Sequence, residues 1–296
     1  MSMVRITTVV DHTRHDGTSK RLVAQRMSTA GEGGELLASL TLCHGIGSQV
    51  PRYWYYVGQV AFASQDIPLY RHDRMLVLGN DLIGADELAE IAAHPSAKVG
   101  SHVWQALIQT ALHTFSTSSQ SRVILELPGR QEEGQSPFWR GLGRHFCPID
   151  PRDVRERFGE HWSAHVAALL PQQPVLVSLL SEEAQSALQA VDDSLLDLQR
   201  ALMQSGFRWC RHVSIHDGGP VYEHEAGPAR EGQQAKLRAH DSDTADGYWL
   251  IRADHSTDLW IVEATYADGA LGVPPEAVRL IGDGVVHALR LSETPT

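Results

Sequence analysis

Ser136-Pro137-Phe138-Trp139-Arg140-Gly141-Leu142-Gly143-Arg144-His145-Phe146 is the stretch on which the reading of this 296-residue chain turns. Ser136 suits a helix N-cap, and Pro137 at the first helical position loses nothing, because that N–H has no intrahelical partner. Much later come Phe207 and the run Ile215-His216-Asp217-Gly218-Gly219-Pro220, whose Asp-Gly-Gly-Pro is a tight turn.

Working outward, residues 4–10, 35–42, 53–63, 74–78, 87–93 and 122–127 read as strands, rich in β-branched or aromatic residues. Residues 102–115 read as a helix: Val103, Leu107 and Ala111 recur every four residues, with Trp104, Ile108 and Leu112 beside them. Helical periods return over 155–170 and 182–205, the second ending at Gly206 as a C-terminal cap would. Strand patterns follow at 209–216, 248–253, 259–266 and 285–291. Residues 11–20, 28–34 and 226–246 read as loops.

A formal charge of −11 argues against nucleic acid or an anionic membrane as a partner. No apolar stretch approaches the roughly 20 residues of a membrane helix. Cys43, Cys147 and Cys210 are too few and too scattered for a disulfide framework, which fits a cytoplasmic protein.

Three further segments accompany the opening stretch in order: Pro51-Arg52-Tyr53-Trp54-Tyr55-Tyr56-Val57-Gly58, Gly79-Asn80-Asp81 leading to Glu87-Leu88, and Ser181-Glu182-Glu183-Ala184-Gln185. Together they resemble the arginine/ornithine N-succinyltransferases over roughly residues 34–291. The resemblance implies a mixed α+β fold. A GNAT-like acyltransferase sheet with flanking helices would fill residues 1–150, its N-terminal helices truncated. A second α/β half, 151–296, would end in a small β-rich region. It also implies an N-acyltransferase that moves succinyl from succinyl-CoA, or another acyl-CoA, to the α-amine of arginine or a related amino acid. No metal is expected, and a homodimer or a heteromer with a paralogous subunit is.

Residue by residue the match is uneven. Lys98-Val99-Gly100-Ser101-His102 stands where the family has R-x-x-G-x-G, so Lys98, Gly100 and Ser101 are the expected diphosphate cradle at a helix start. Ala97 and His102 replace a basic residue and a glycine. Ile91 aligns with a family contact to succinyl-CoA. The family's proton-donating histidine, in Q-V-H-P, is matched by Ala190-Val191-Asp192-Asp193. Asp192 is therefore the catalytic candidate, with His161, His165 or His212 as substitutes and a solvated helix start as the simpler reading. Asn80, Asp81 and Glu126 are candidates to meet an ammonium or guanidinium group through charge-assisted hydrogen bonds. His212, His216 and His224 lack zinc spacing and read more simply as polar positions around a hairpin. Two alternatives stay open: a regulatory paralogue that binds a catalytic sister, and a scaffold recruited to other chemistry.

Overall fold

The computed structural model describes residues 3–11, 19–27, 34–64, 66–67, 69–95, 97, 99–116, 122–225, 230, 232–240, 245–254 and 256–291. The first half runs β1 (Val4–Asp11), β2 (Ser19–Arg26), β3 (Glu35–Cys43), β4 (Trp54–Ser64), β5 (Leu69–Gly79), β6 (Asp86–Ala93), α1 (Ser101–Ser116) and β7 (Val123–Glu126). Short helices follow: α2 (Pro137–Gly141), α3 (Pro151–Phe158) and α4 (Trp162–Ala167), then β8 (Val175–Leu176), α5 (Glu182–Ala187) and α6 (Leu196–Gln204). The chain closes with β9 (Arg208–Ser214), β10 (Pro220–His224), β11 (Gln233–Ala239), β12 (Gly247–Ala253), β13 (Leu259–Ala267), β14 (Ala270–Val273), α7 (Pro275–Ile281) and β15 (Val285–Arg290).

Among the described residues the strands join in the order β12-β15-β11-β14-β13-β1-β2-β3-β6-β7-β10-β9-β4-β5-β8. Because β12 also pairs with β13, the first five close into a small barrel. Leu237, Trp249, Ile251, Val262 and Val286 fill it, and closure leaves those strands no free edge. β13 carries the ladder into β1, Val4 opposite Ile261, and so into the open sheet. Within that sheet β9 and β10 hydrogen-bond to β4 and β7, joining strands from either side of residue 150.

One face of the open sheet is apolar. Leu22, Leu40, Leu42, Leu88 and Leu125 meet Leu107 and Ile108 of α1 and Leu198 and Leu202 of α6. Each such buried leucine contributes roughly 1.5–3 kcal/mol. Further along, Phe138, Trp139 and Leu142 pack on Tyr55, Val213, Ile215, Ala184 and Ala187. Here the opening stretch finds its explanation. Ser136 Oγ accepts the Trp139 N–H at 3.1 Å, and Gly143 lies so close beneath the Trp139 ring that a Cβ would sit 2.1 Å from it. The Asp-Gly-Gly-Pro turn docks on the end of β7. Asp217 accepts the N–H groups of Gly129 and Gly219, each at 2.9 Å, and a Cβ on Gly219 would come within 2.1 Å of Leu127 O.

Several expectations need correction. The expected loop over 11–20 ends at Ser19, where β2 begins; residues 12–18 lie outside the described residues. Within 226–246, also expected as loop, β11 occupies Gln233–Ala239 and directs only Ala235 and Leu237 into the barrel. Polar residues on its other face hide the two-residue period. The long helical periods break into pairs: Gly159 separates α3 from α4, and an extended segment capped by Asp192 separates α5 from α6. No described element ahead of α1 is helical, and no described helix is long and apolar enough to cross a membrane.

Candidate active site

β6 and β7 are parallel neighbours that share only two register positions, Asp86↔Val123 and Glu87↔Ile124. Beyond them β6 continues to Ala93, and β7 is held from its other side by β10. Glu90 on β6 has φ +48°, and the register with β3 slips between Thr41↔Ala89 and Ser39↔Ala92. This is a bulge, which bends and re-aims a strand, and it falls just past the end of the parallel ladder. The two strands form a fork.

The far wall of the fork follows from alternation along β7. Asp86 N–H donates to Arg122 O, so even-numbered backbone groups face β6; Leu127 N–H donates to Pro220 O, so odd-numbered groups face β10. Asp192 N–H donates to Pro128 O and Arg130 N–H to Ala190 O, both on the β6 side. Residues 190–192 therefore line the fork opposite β6.

The sequence candidates distribute around it. Ile91 lies on β6 past the bulge, half-buried against the core. Gly100 and Ser101 form the start of α1, with Ser101 buried; Lys98 lies outside the described residues. The His102 ring covers Gly100, where a Cβ would sit 2.7 Å from it. It stacks on Tyr248 of β12 with centroids 3.8 Å apart and planes 3° apart. Burial favours the neutral imidazole of His102, and burial with Glu263 pushes the Tyr248 phenol up to about 12. The barrel thus reaches the start of α1, which no sequence pattern indicated. Asp192 sits on the fork wall, but its carboxylate caps the following turn, accepting from Ser194 N–H at 3.0 Å and the Ser194 hydroxyl at 2.5 Å.

Glu126 belongs to a different cluster, on the sheet face opposite α1. Its Oε2 accepts from Trp54 Nε1 at 2.9 Å and from Arg52 Nη2 at 3.3 Å. Arg52 Nη1 reaches back to Glu87 Oε2 of β6 at 2.6 Å, so one guanidinium spans the crotch of the fork. Burial alone would raise the Glu126 pKa; Arg52, His216, Trp54 and Ser214 outweigh it and hold the value low. Burial likewise works against charge on Arg52, and the two carboxylates more than offset it. Ser214 Oγ lies 2.5 Å from His216 Nδ1. His216 Nε2 in turn lies 3.3 Å from Asp217 Oδ2.

Asn80 and Asp81 occupy the turn after β5, where the exposed Asp81 carboxylate meets His212 Nε2 at 3.0 Å. His224 packs on Phe207. The three histidines have separate partners, and among the described residues no group of three or more His, Cys, Asp or Glu could hold a metal ion. Arg52, Trp54, Ser214 and His216 are the site residues that sequence reasoning missed in this role. Arg52, Trp54 and His216 stood inside quoted motifs, but nothing in the one-dimensional chain joined them to Glu126.

Comparison with known proteins agrees with this architecture. The family model for the arginine N-succinyltransferase beta subunit matches residues 27–230, ending just before the barrel. The arginine N-succinyltransferase subunit beta of Pseudomonas aeruginosa is 30% identical over 276 residues, 88% of this chain and 80% of that relative. The arginine N-succinyltransferase of Salmonella arizonae is 27% identical over 270 residues, 84% and 78% of the two chains. The solved structure of arginine/ornithine succinyltransferase subunit AI from Pseudomonas aeruginosa superposes with a TM-score of 0.69 at 19% identity, over 95% of this chain and 84% of that one, and so shares the fold. The chain belongs to the arginine N-succinyltransferase beta subunit family.

Proposed function

We propose that this chain transfers the succinyl group of succinyl-CoA to the α-amine of arginine. The observation that carries the reading is the fork: a parallel pair that parts after two registers, a bulge at the parting, and a helix start next along the chain. A pantetheine arm carries amides that pair with a strand edge, and among the described residues β6 has no strand paired to its β7 side past Glu87. The thioester then lies near the bulge, where the Ile91 N–H can polarise its carbonyl as charge develops on oxygen. The diphosphate lies by Gly100 and Ser101 at the start of α1, where the helix dipole favours an anion, with the His102–Tyr248 stack as its boundary. The neutral amine attacks the thioester carbon, the C–S bond breaks, and CoA leaves as a thiolate that takes up a proton. No acyl-enzyme is needed.

The family is named for a beta subunit, which supports assembly with a paralogous subunit. Cys43, Cys147 and Cys210 form no disulfide, which suits a reducing compartment, the cytoplasm. The test is calorimetric titration with succinyl-CoA, followed by thiol release with arginine, on the chain alone and with a partner subunit. Saturable binding and one CoA released per succinylarginine are expected. Absence of binding in both forms overturns the proposal.

A further inference from the structure

We propose that Arg52 is a positioning residue for the acyl donor. Its guanidinium fixes the angle at which β6 and β7 part, and with it the width of the slot that takes the pantetheine arm. The inference rests on the acyl-transfer reading above, and it adds a residue that acts on the donor through two strands.

The fork poses a mechanical problem. Among the described residues only Asp86↔Val123 and Glu87↔Ile124 join the two strands, yet β6 runs on to Ala93 with a bulge at Glu90. Past the pair each strand is held from its outer side, β6 by β3 and β7 by β10. A ladder of two positions fixes little of the angle between strands that then diverge. Side chains at the parting supply the rest.

Arg52 stands at that point. Glu87 belongs to the last pair, and Glu126 lies two residues past its partner Ile124, on the same face by strand alternation. Nη1 donates to Glu87 Oε2 at 2.6 Å and Nη2 to Glu126 Oε2 at 3.3 Å. A guanidinium is planar, with its two Nη groups at a fixed separation, so bridging two carboxylates sets the distance between them. A lysine ammonium is a point charge and sets none. With Glu87 6% and Glu126 17% exposed, the bridge escapes much of the solvent screening that weakens surface ion pairs. It is also anchored to a third strand. Buried Trp54 of β4 donates Nε1 to the same Glu126 oxygen at 2.9 Å, and the guanidinium lies 5.1 Å from its ring centre. On the other face Asp86 Oδ1 accepts the Gly45 N–H at 3.2 Å and lies 3.2 Å from His44 Nδ1. The His44 ring meets Phe115 of α1 edge-on. β6 is therefore pinned on both faces at the parting.

The test separates geometry from stability, with the protein in its active assembly. Arg52→Lys keeps the charge and loses the span. Arg52→Met/Glu87→Gln/Glu126→Gln removes all three charges together, so that no ion is left buried alone. In both, the Kd of succinyl-CoA by calorimetry and its KM rise about tenfold, within the ~10²-fold that a displacement of about 1 Å can cost. The KM for arginine stays within about twofold, because only the donor slot changes. Arg200→Met, which breaks an exposed pair with Asp197 on α6, keeps the wild-type values. Folded variants that bind succinyl-CoA within about twofold of wild type overturn the positioning role, and so does an equal rise in KM for both substrates. Should Arg52→Lys not fold, the triple variant decides alone. Wild type that binds succinyl-CoA and releases thiol while the variants match it leaves acyl transfer standing without the brace. Wild type that neither binds nor releases overturns both.

Discussion

Around α2 the quoted motif residues are apolar side chains and glycines pressed together: Phe138 and Trp139 are buried, and Gly129 and Gly219 let two backbones touch. Across the crotch of the fork the residues are charged, and Arg52, Glu87 and Glu126 come from three strands or loops far apart in the chain. The first region is held by close packing, which short runs of sequence encode directly. The second is held by a buried ion network, which only the finished sheet assembles. One region is insensitive to protons and the other is governed by them.

The sharpest way to break that contrast is to damage each region once. Arg52→Met leaves two carboxylates buried without a counter-ion, and losing one partner of a buried pair costs about 3–5 kcal/mol. Phe138→Ala should cost a similar ~3–5 kcal/mol through the cavity it leaves. Urea unfolding as a function of pH separates them. The Phe138→Ala deficit should stay level between pH 8 and 5, whereas Arg52→Met/Glu87→Gln/Glu126→Gln should recover most of the Arg52→Met loss. Without that recovery, the fork is not held by charge.

Titration of Glu126 gives a smaller effect of defined sign. Its folded pKa lies below the ordinary value of 4.5, so the stabilisation is fully present above that value. It is lost as pH falls through the lower folded value. Glu126→Gln should therefore be less stable than wild type at pH 7, and the gap should close progressively below about pH 4.5. A gap constant down to pH 3 would mean that Glu126 is not held ionised by its neighbours.

The same contrast explains what the sequence disclosed. α1 was legible because Val103, Leu107 and Ala111 repeat at helical spacing, and α2 because its cap, proline and aromatic pair lie within four residues. β11 escaped because only Ala235 and Leu237 turn inward from a run of glutamine, lysine and arginine. The fork follows from no local pattern, since it needs the β6–β7 register and the bulge at Glu90. The Arg52–Trp54–Glu126 cluster was invisible: Arg52 and Trp54 lie 74 and 72 residues from Glu126, and only the finished sheet brings them together.

Asp192 stands outside both regions: its backbone N–H pairs with Pro128 O and its side chain caps the helical turn that follows. A capping carboxylate and a proton-transferring one respond differently to amide replacement. Asparagine caps about as well as aspartate, whereas alanine loses about 1 kcal/mol. If Asp192 acts only as a cap, Asp192→Asn should keep both the melting temperature and the rate of CoA release, while Asp192→Ala should melt a few degrees lower. A rate drop of tenfold or more in Asp192→Asn, with its stability intact, would show the carboxylate taking part in transfer. It would then stand across the fork from Ile91, on the wall where a departing thiolate would seek its proton.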